Sequence, residues 1–181
     1  SVLDRLKRSD PVWVLDPLDG TRNFANSRQP FAVIVAYCQG GETLMGWIHD
    51  PLTKETVWAG KGQGCWSGEN RLTLTKPPPL ADMKGSLSGR AAKRLKGVKG
   101  VPSQINRVGC VGRDYMDLAL GRLDFARYAF HLKPWDHAAG VLMHCEAGGA
   151  SCLIKANRPY HPDLTPDEAR DAGEVLMLAP N

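Results

Sequence analysis

The stretch Trp13-Val14-Leu15-Asp16-Pro17-Leu18-Asp19-Gly20-Thr21-Arg22-Asn23-Phe24 joins an apolar run to a turn rich in polar groups. The apolar residues 12–15 predict a buried strand, and the Asp-Pro pair predicts a turn at its end. Asp16 and Asp19 stand three positions apart, so their carboxylates can converge on one point. The turn can aim the Leu18 carbonyl at the same point. Mg²⁺ prefers such oxygen ligands, so the stretch predicts a metal site.

The residues that follow the second carboxylate offer sites for an anion and for water. Gly20 lets the backbone approach a ligand closely, and the amides of Gly20 and Thr21 at the start of a turn or helix form an anion site. The Thr21 hydroxyl can orient a water molecule. Metal-assisted attack of water on a phosphate requires these parts. The alternative is a plain turn, because Asp, Pro and Gly favour turns in proteins of every class.

A second motif comprises Pro134-Trp135-Asp136-His137-Ala138-Ala139-Gly140 and then Glu146-Ala147-Gly148-Gly149. Apolar positions recur at helical spacing from Asp136 and stop at the glycine pair, which predicts a helix between them. Taken alone, Asp136 would be a helix N-cap, the commoner task of an aspartate there. We expect Glu146 to be structural and Trp135 to pack so that it steadies Asp136.

Together the two motifs resemble the signatures of the inositol monophosphatase family, Asp-Pro-Ile/Leu-Asp-Gly-Thr-x-Asn-Phe and Trp-Asp-x-Ala-Ala/Gly-Gly followed by Glu-Ala-Gly-Gly. That family belongs to the Mg²⁺-dependent, lithium-sensitive phosphatase superfamily, which also includes fructose-1,6-bisphosphatases and phosphoadenosine phosphatases. The resemblance runs from Trp13 to Pro180. It implies an α/β fold, a layered α-β-α-β-α sandwich with a largely antiparallel first sheet, truncated at both ends.

The resemblance also implies roles for particular residues. Four would hold the metal: Asp16, Leu18 through its carbonyl, Asp19 and Asp136. Gly20 and Thr21 would bind the phosphate, and Asp16 and Thr21 would be the catalytic residues, with Thr21 positioning the attacking water. Four would contact the substrate, three of them in a strand predicted over 108–111: Gly109, Cys110, Val111 and Asp136.

Two departures from the family pattern bear on activity. Family members carry Gly-Glu-Glu shortly before the first motif, and the corresponding positions would fall just before Ser1. General-base help is worth about 10²–10⁴-fold, so we expect a chain that began here to be nearly inactive and interpret this one as the core of a longer enzyme, cut at both ends. Ala129 stands where inositol-selective members place a glutamate. Arg113, Arg127 and Lys133 are candidates for binding a second anionic group instead.

The remaining patterns predict two halves. Strands predicted over 12–15, 31–38, 43–49, 55–59, 65–66 and 72–74 form an antiparallel meander. Pro77-Pro78-Pro79 marks the boundary, so we expect a metal- and phosphate-binding sheet region over residues 1–79 and an α/β region with the second motif over 80–181, within one family domain. In the second region we predict strands over 107–111, 123–130 and 175–179 and a helix over 113–120.

Composition excludes several classes of protein. The chain has 181 residues, 43% hydrophobic and 23% charged, with a net charge of +4, which excludes disordered and collagen-like chains. Five cysteines without a C-x-x-C pair fit reduced thiols, and no apolar run approaches the roughly 18 residues of a membrane span. We expect a cytoplasmic protein without a membrane or nucleic-acid partner. The basic residues from Lys84 to Gly100 lack interleaved aromatic residues and fit a solvated surface.

The sequence therefore predicts a Mg²⁺-dependent phosphomonoesterase that hydrolyses a small phosphorylated polyol or sugar with a metal-activated water. One alternative is a bisphosphate nucleotide or fructose-1,6-bisphosphate phosphatase. A second is a non-catalytic binding protein that retains the fold and lacks the glutamates. By analogy with the family we also expect a homodimer.

Overall fold

The structure, a computed structural model, describes residues 2–102 and 104–181. The described strands are β1 Val12–Asp19, β2 Ala32–Gln39, β3 Glu42–Asp50, β4 Glu55–Gly60, β5 Gly64–Ser67, β6 Asn70–Leu72, β7 Lys84–Ser86, β8 Gln104–Asn106, β9 Phe125–Ala129, β10 Gly149–Leu153 and β11 Val175–Pro180. The helices are α1 Thr21–Ala25, α2 Gly89–Leu95, α3 Val111–Ala119, α4 Pro134–Glu146 and α5 Pro166–Asp171. Short 3₁₀ helices lie at Val2–Lys7 and Leu80–Asp82. None of the helices described is long and apolar enough to cross a membrane.

The first sheet is the predicted antiparallel meander, with β1 to β6 side by side in chain order. Its last strand, predicted over 72–74, lies two residues earlier as β6. Side chains alternate between its two faces, and in β2 every second residue from Ala32 to Cys38 is buried. The opposite face carries aromatic rings: Trp13 is 58% exposed, and its ring centroid lies 5.0 Å from that of Tyr37. The buried face therefore forms one wall of the core.

Strand β1 is longer than the sequence predicts. It continues beyond Leu15 to Asp19, and its pairing with β2 shifts register between Asp16 and Asp19. Pro17 lies within this irregular part, where a residue without an N–H is tolerated because β1 is an edge strand. Such an irregularity re-aims side chains, which brings the two aspartates to the same end of the strand.

The second sheet is mixed and has the strand order β10-β11-β9-β7-β8. β7 runs parallel to β8 and β9, whereas β11 runs antiparallel to β9 and β10. All strands of the first sheet come from residues 12–72 and all strands of the second from residues 84–180. The triple proline lies between the two sets.

Helix α4 connects the two sheets, because it contacts β2, β3 and β4 of the first and β10 of the second. Small residues allow this close packing. A Cβ added to Gly46 in β3 would come within 2.7 Å of the Ala139 Cα, and one added to Gly140 would overlap the Tyr115 ring of α3. The position of α4 is thereby fixed by a strand on one side and a helix on the other.

The strand predicted over Arg107–Val111 is wrong. β8 ends at Asn106, Gly109 adopts a φ of +75°, and Val111 begins α3. A left-handed residue cannot continue an extended strand, so the chain turns here from the sheet edge into a helix. A short apolar run does not distinguish a buried strand from the start of a buried helix, which is why the pattern misled.

The two helices predicted in the second half are confirmed with shifted starts. The one predicted over 113–120 is α3. The helix predicted from Asp136 begins at Pro134, and its N-cap position belongs to Lys133. Asp136 therefore lies within the first turn of α4 and does not cap it.

We predict that Gly140→Ala lowers the free energy of unfolding by about 1–3 kcal/mol, because the added methyl group overpacks the Tyr115 ring by more than the gain in helix propensity offsets. Urea denaturation followed by circular dichroism measures this. Gly89→Ala in α2, where no atom lies within 4 Å of the added Cβ, is the matched control and should be neutral. Equal stability of the two variants would contradict the packing assigned to α4.

Candidate metal centre

Three aspartates from two distant parts of the chain meet at the end of β1. Asp16 and Asp19 lie in β1, and Asp136 lies in the first turn of α4. One carboxylate oxygen from each lies within 4.8 Å of the other two. Three carboxylates at this spacing form the kind of oxygen cluster that binds a hard divalent cation.

Two local hydrogen bonds hold the irregular end of β1, where the sequence predicts a turn. The Leu18 N–H donates to Asp16 Oδ1 at 3.1 Å, and the Thr21 hydroxyl donates to the Leu18 carbonyl at 2.8 Å. Asp16 is half-buried, and Thr21 is exposed. The carbonyl of Leu18 accepts one bond here and has a second lone pair for a cation.

Asp19 is almost fully buried and is held by the start of α3. The Gly112 N–H donates to Asp19 Oδ2 at 2.6 Å, and the Cys110 thiol lies 3.1 Å from the same oxygen. The positive end of the helix dipole favours a carboxylate at this position. Both contacts use Oδ2, so neither of them occupies Oδ1.

Gly20 is required at the junction between β1 and α1. It adopts a φ of +82°, and an added Cβ would lie 2.8 Å from the Pro30 carbonyl oxygen. Asn23 fastens the same junction, since its side-chain amide donates to the carbonyls of Pro30 at 2.8 Å and Val108 at 2.9 Å. Helical bonding begins with the Phe24 N–H on the Gly20 carbonyl, so the amides before Phe24 have no intrahelical acceptor.

The electrostatics of the cluster favour a bound cation. The pKa of Asp136 is raised to about 7, chiefly by burial; the Lys133 ammonium opposes the rise, and the charges of Asp19 and Asp16 add to it. Burial likewise raises the pKa of Asp19. A divalent cation would compensate both the burial and the mutual repulsion, so the donor set fits Mg²⁺.

The residues around Asp136 are packed tightly. His137 is fully buried, its Nδ1 lies 3.0 Å from the Tyr115 hydroxyl, and burial lowers its pKa to about 3, so it is neutral. Trp135 is half-buried against the core, with the Lys133 ammonium 5.7 Å from its ring centroid. Glu146 accepts hydrogen bonds from the amides of Gly62 and Gly64, which agrees with the structural role expected of it.

The structure separates the residues expected to contact substrate. Cys110 is buried and touches Asp19, whereas Gly109 is exposed and Val111 half-buried at the start of α3. Arg113 is engaged by Asp50 at 3.1 Å and Asp117 at 2.6 Å, so its charge is already neutralised. Of the three cations named for a second anionic group, Lys133 is the one whose charge acts on Asp136.

Sequence reasoning missed three groups that build the centre. The Gly112 amide and the Cys110 thiol contact Asp19, although more than 90 positions of sequence separate them from it. No local sequence pattern predicts these two contacts. Asn23 belongs to the first motif, but the sequence alone does not indicate that it binds the carbonyls of Pro30 and Val108. The Thr-x-Asn-Phe end of that motif is the sequence signal that points to Asn23.

The family model of the inositol monophosphatase family matches residues 3–177. The chain belongs to the inositol monophosphatase family. This confirms the family resemblance, and the two-sheet α/β architecture confirms the predicted fold class.

Relatives in this family carry several names. The chain is 36% identical to the inositol-1-monophosphatase of Caulobacter vibrioides, over 84% of this chain and 69% of that protein. It is 30% identical to a fructose-1,6-bisphosphatase/inositol-1-monophosphatase of Thermotoga maritima, over 79% of this chain and 57% of that protein. It is 33% identical to the Nus factor SuhB of Xylella fastidiosa, covering 61% of that protein. The chain thus spans roughly three-fifths to two-thirds of these relatives.

Solved structures share the fold. An IMPase of Thermotoga maritima superimposes with a TM-score of 0.79 at 24% identity, covering 95% of this chain and 65% of that one. The extragenic suppressor protein SuhB of Bartonella henselae superimposes with a TM-score of 0.78 at 28% identity, covering 96% and 66%.

We predict that millimolar Mg²⁺ raises the thermal midpoint of this chain and that Asp136→Asn removes most of the rise, because a cation bound only by the folded state stabilises it. Differential scanning fluorimetry over a Mg²⁺ series measures the shift. Asp10→Asn, which changes an exposed aspartate outside the cluster, should leave the shift intact. An unchanged shift in Asp136→Asn would contradict the ligand set.

We also predict a pH dependence in the presence of a chelator. The pKa of Asp136 in the folded chain, about 7, lies above its ordinary value of 3.8, so its contribution to stability is complete below about pH 4 and is lost as the pH rises through 7. Urea denaturation should show the wild type losing about 2–4 kcal/mol from this group between about pH 4 and pH 8. Asp136→Asn should lose less over the same range, and an identical slope would overturn the assignment.

Proposed function

We propose that the protein is a Mg²⁺-dependent phosphomonoesterase that hydrolyses a small phosphorylated polyol or sugar. The observation that carries this proposal is the convergence of Asp16, Asp19 and Asp136 next to the start of α1. Membership of the inositol monophosphatase family and the names of the relatives support the reaction class.

The metal would be held by Asp16, the Leu18 carbonyl, Asp19 and Asp136. When bound, Mg²⁺ would polarise the phosphate and lower the pKa of a water molecule. The chain contributes by fixing the ligands: the Gly112 amide holds the Asp19 carboxylate, and packing of α4 holds Asp136. Preorganised charges of this kind need no rearrangement when the reaction occurs.

The phosphate would lie at the junction of Gly20 and Thr21. Gly20 brings the backbone close, and the amides at the start of α1 have no intrahelical acceptor, so they can donate to phosphate oxygens. The Thr21 proton is committed to the Leu18 carbonyl, so its oxygen can accept a hydrogen bond from water. Thr21 would therefore orient the attacking water, and no residue of this chain is assigned as the base that deprotonates it.

The residues expected near the substrate favour a substrate other than free inositol phosphate. Ala129 cannot bind a polyol hydroxyl as a carboxylate would, while Lys133 adds positive charge near Asp136. A second anionic group on the substrate would suit this pattern. The name of the Thermotoga maritima relative, which includes fructose-1,6-bisphosphatase, supports a sugar bisphosphate as the second candidate.

A non-catalytic role is the remaining alternative, and the relatives named Nus factor SuhB support it. A homodimer, a cytoplasmic location and the division of the chain near residue 79 are part of the proposal as well. The strands of the two sheets fall on either side of that residue, whereas contacts of α4 with both sheets favour one folding unit.

We predict that Asp16→Asn abolishes Mg²⁺-dependent phosphate release by the complete gene product, because the carboxylate serves both as metal ligand and in the catalytic step. Release is measured by colorimetric phosphate assay on inositol monophosphate, fructose 1,6-bisphosphate and phosphoadenosine phosphate. Asp10→Asn is the control and should retain wild-type turnover. Wild-type turnover in Asp16→Asn would exclude the assigned site, and a wild type inactive on every substrate would favour the non-catalytic alternative.

A further inference from the structure

The positive charge of this chain is concentrated in one segment. Residues 83–112 contain seven basic residues and no acidic residue, which leaves 16 basic and 19 acidic residues, a net charge of −3, for the rest of the chain. The seven are Lys84, Arg90, Lys93, Arg94, Lys96, Lys99 and Arg107, all of them exposed. Within residues 2–102 and 104–181, none of them forms an ion pair with a carboxylate.

This segment encloses a shallow cavity of about 500 Å³, which we call the α2–β8 groove. It is lined chiefly by Lys93, Leu95, Lys96, Val98, Val101 and Ile105. Val98 is 53% exposed although it is apolar. The groove thus combines an apolar floor with a cationic rim.

The groove and the candidate metal centre are built from different elements of the fold. β8 is the last strand of the second sheet, and α2 precedes it in the chain, whereas the metal ligands come from β1 and α4. The charges of the groove also lack the compensation seen at Arg113, which two carboxylates neutralise. Such a surface, with unpaired cations beside exposed apolar side chains, suits a partner that supplies both carboxylates and apolar side chains.

We propose that the α2–β8 groove binds an acidic peptide segment of another protein, whose carboxylates face the lysines and whose apolar side chains enter the groove. Charge complementarity selects an acidic partner and raises its association rate. Burial of Val98 and Leu95 against apolar side chains gives the affinity that exposed ion pairs alone do not supply. The proposal does not depend on phosphatase activity.

Two other occupants fit the groove less well. Single-stranded nucleic acid is bound by basic grooves that also carry aromatic rings for base stacking, and residues 83–112 contain no Phe, Tyr or Trp. A second copy of the chain related by a twofold axis would set the cationic rim against itself, which is repulsive.

The proposal is tested by fluorescence anisotropy with three labelled probes: a peptide that alternates pairs of Glu with Leu and Phe, a poly-Glu peptide of equal charge, and a single-stranded RNA of equal charge. We expect the first probe to bind most tightly and its affinity to fall as NaCl rises from about 50 mM to about 500 mM. Tighter binding of poly-Glu or RNA would overturn the proposal in favour of a general polyanion site.

Variants locate the binding surface. Lys93→Glu combined with Lys96→Glu should weaken binding of the first probe at least about tenfold, and Val98→Asp should weaken it about threefold or more. Arg28→Glu combined with Lys76→Glu makes the same change of net charge at exposed positions elsewhere and should have little effect. Equal weakening by the two double variants would overturn the proposal, as would loss of a dimer on size-exclusion chromatography of Lys93→Glu/Lys96→Glu. Thermal midpoints are measured for each variant so that only folded proteins are compared.

Discussion

The carboxylates of Asp16, Asp19 and Asp136 repel one another, and the protein nevertheless holds them within 4.8 Å. Like charges would move apart in a flexible chain. The surrounding structure therefore has to supply the energy that keeps these carboxylates together. Burial raises the pKa of Asp136 to about 7, and the charges of Asp19 and Asp16 add to this rise. A bound divalent cation would convert the same geometry from a repulsive into an attractive one and would so link stability to the proposed function.

Three features of the fold impose the convergence. The register shift in β1 turns Asp16 and Asp19 to one side, where a regular strand would alternate its side chains. The start of α3 fixes Asp19 through the Gly112 amide. Gly46 and Gly140 let α4 approach both β3 and α3, which brings Asp136 to the end of β1. The centre therefore depends on backbone contacts as much as on the aspartates themselves.

Much of this could be predicted from the sequence, because the decisive signals are local. The meander follows from alternating strands and glycine turns, and the two motifs identify the three aspartates and the family. The path of residues 107–111 could not be predicted, since the left-handed Gly109 and the start of α3 are set by contacts with Asp19 and Asn23, more than 80 positions away. The ion pair between Arg113 and Asp50 could not be predicted for the same reason. Long-range polar contacts of this kind produce no periodic pattern in a sequence from which they could be predicted.

The basic segment, residues 83–112, has one feature that the sequence indicates and one that it does not. Its charge and its lack of aromatic residues are visible in the sequence, whereas the apolar floor formed by Leu95, Val98 and Ile105 appears only once α2 and β8 are placed side by side. A solvated basic surface and a binding groove have the same composition. Only the spatial arrangement separates them.

The most direct measurement for the metal centre is anomalous diffraction from crystals grown with Mn²⁺, which accepts the same oxygen ligands as Mg²⁺. We expect a peak within about 2.5 Å of carboxylate oxygens of Asp16, Asp19 and Asp136 and of the Leu18 carbonyl. A fully occupied manganese ion bound elsewhere, with these three aspartates protonated or turned apart, would contradict the conclusion that they form a cation site.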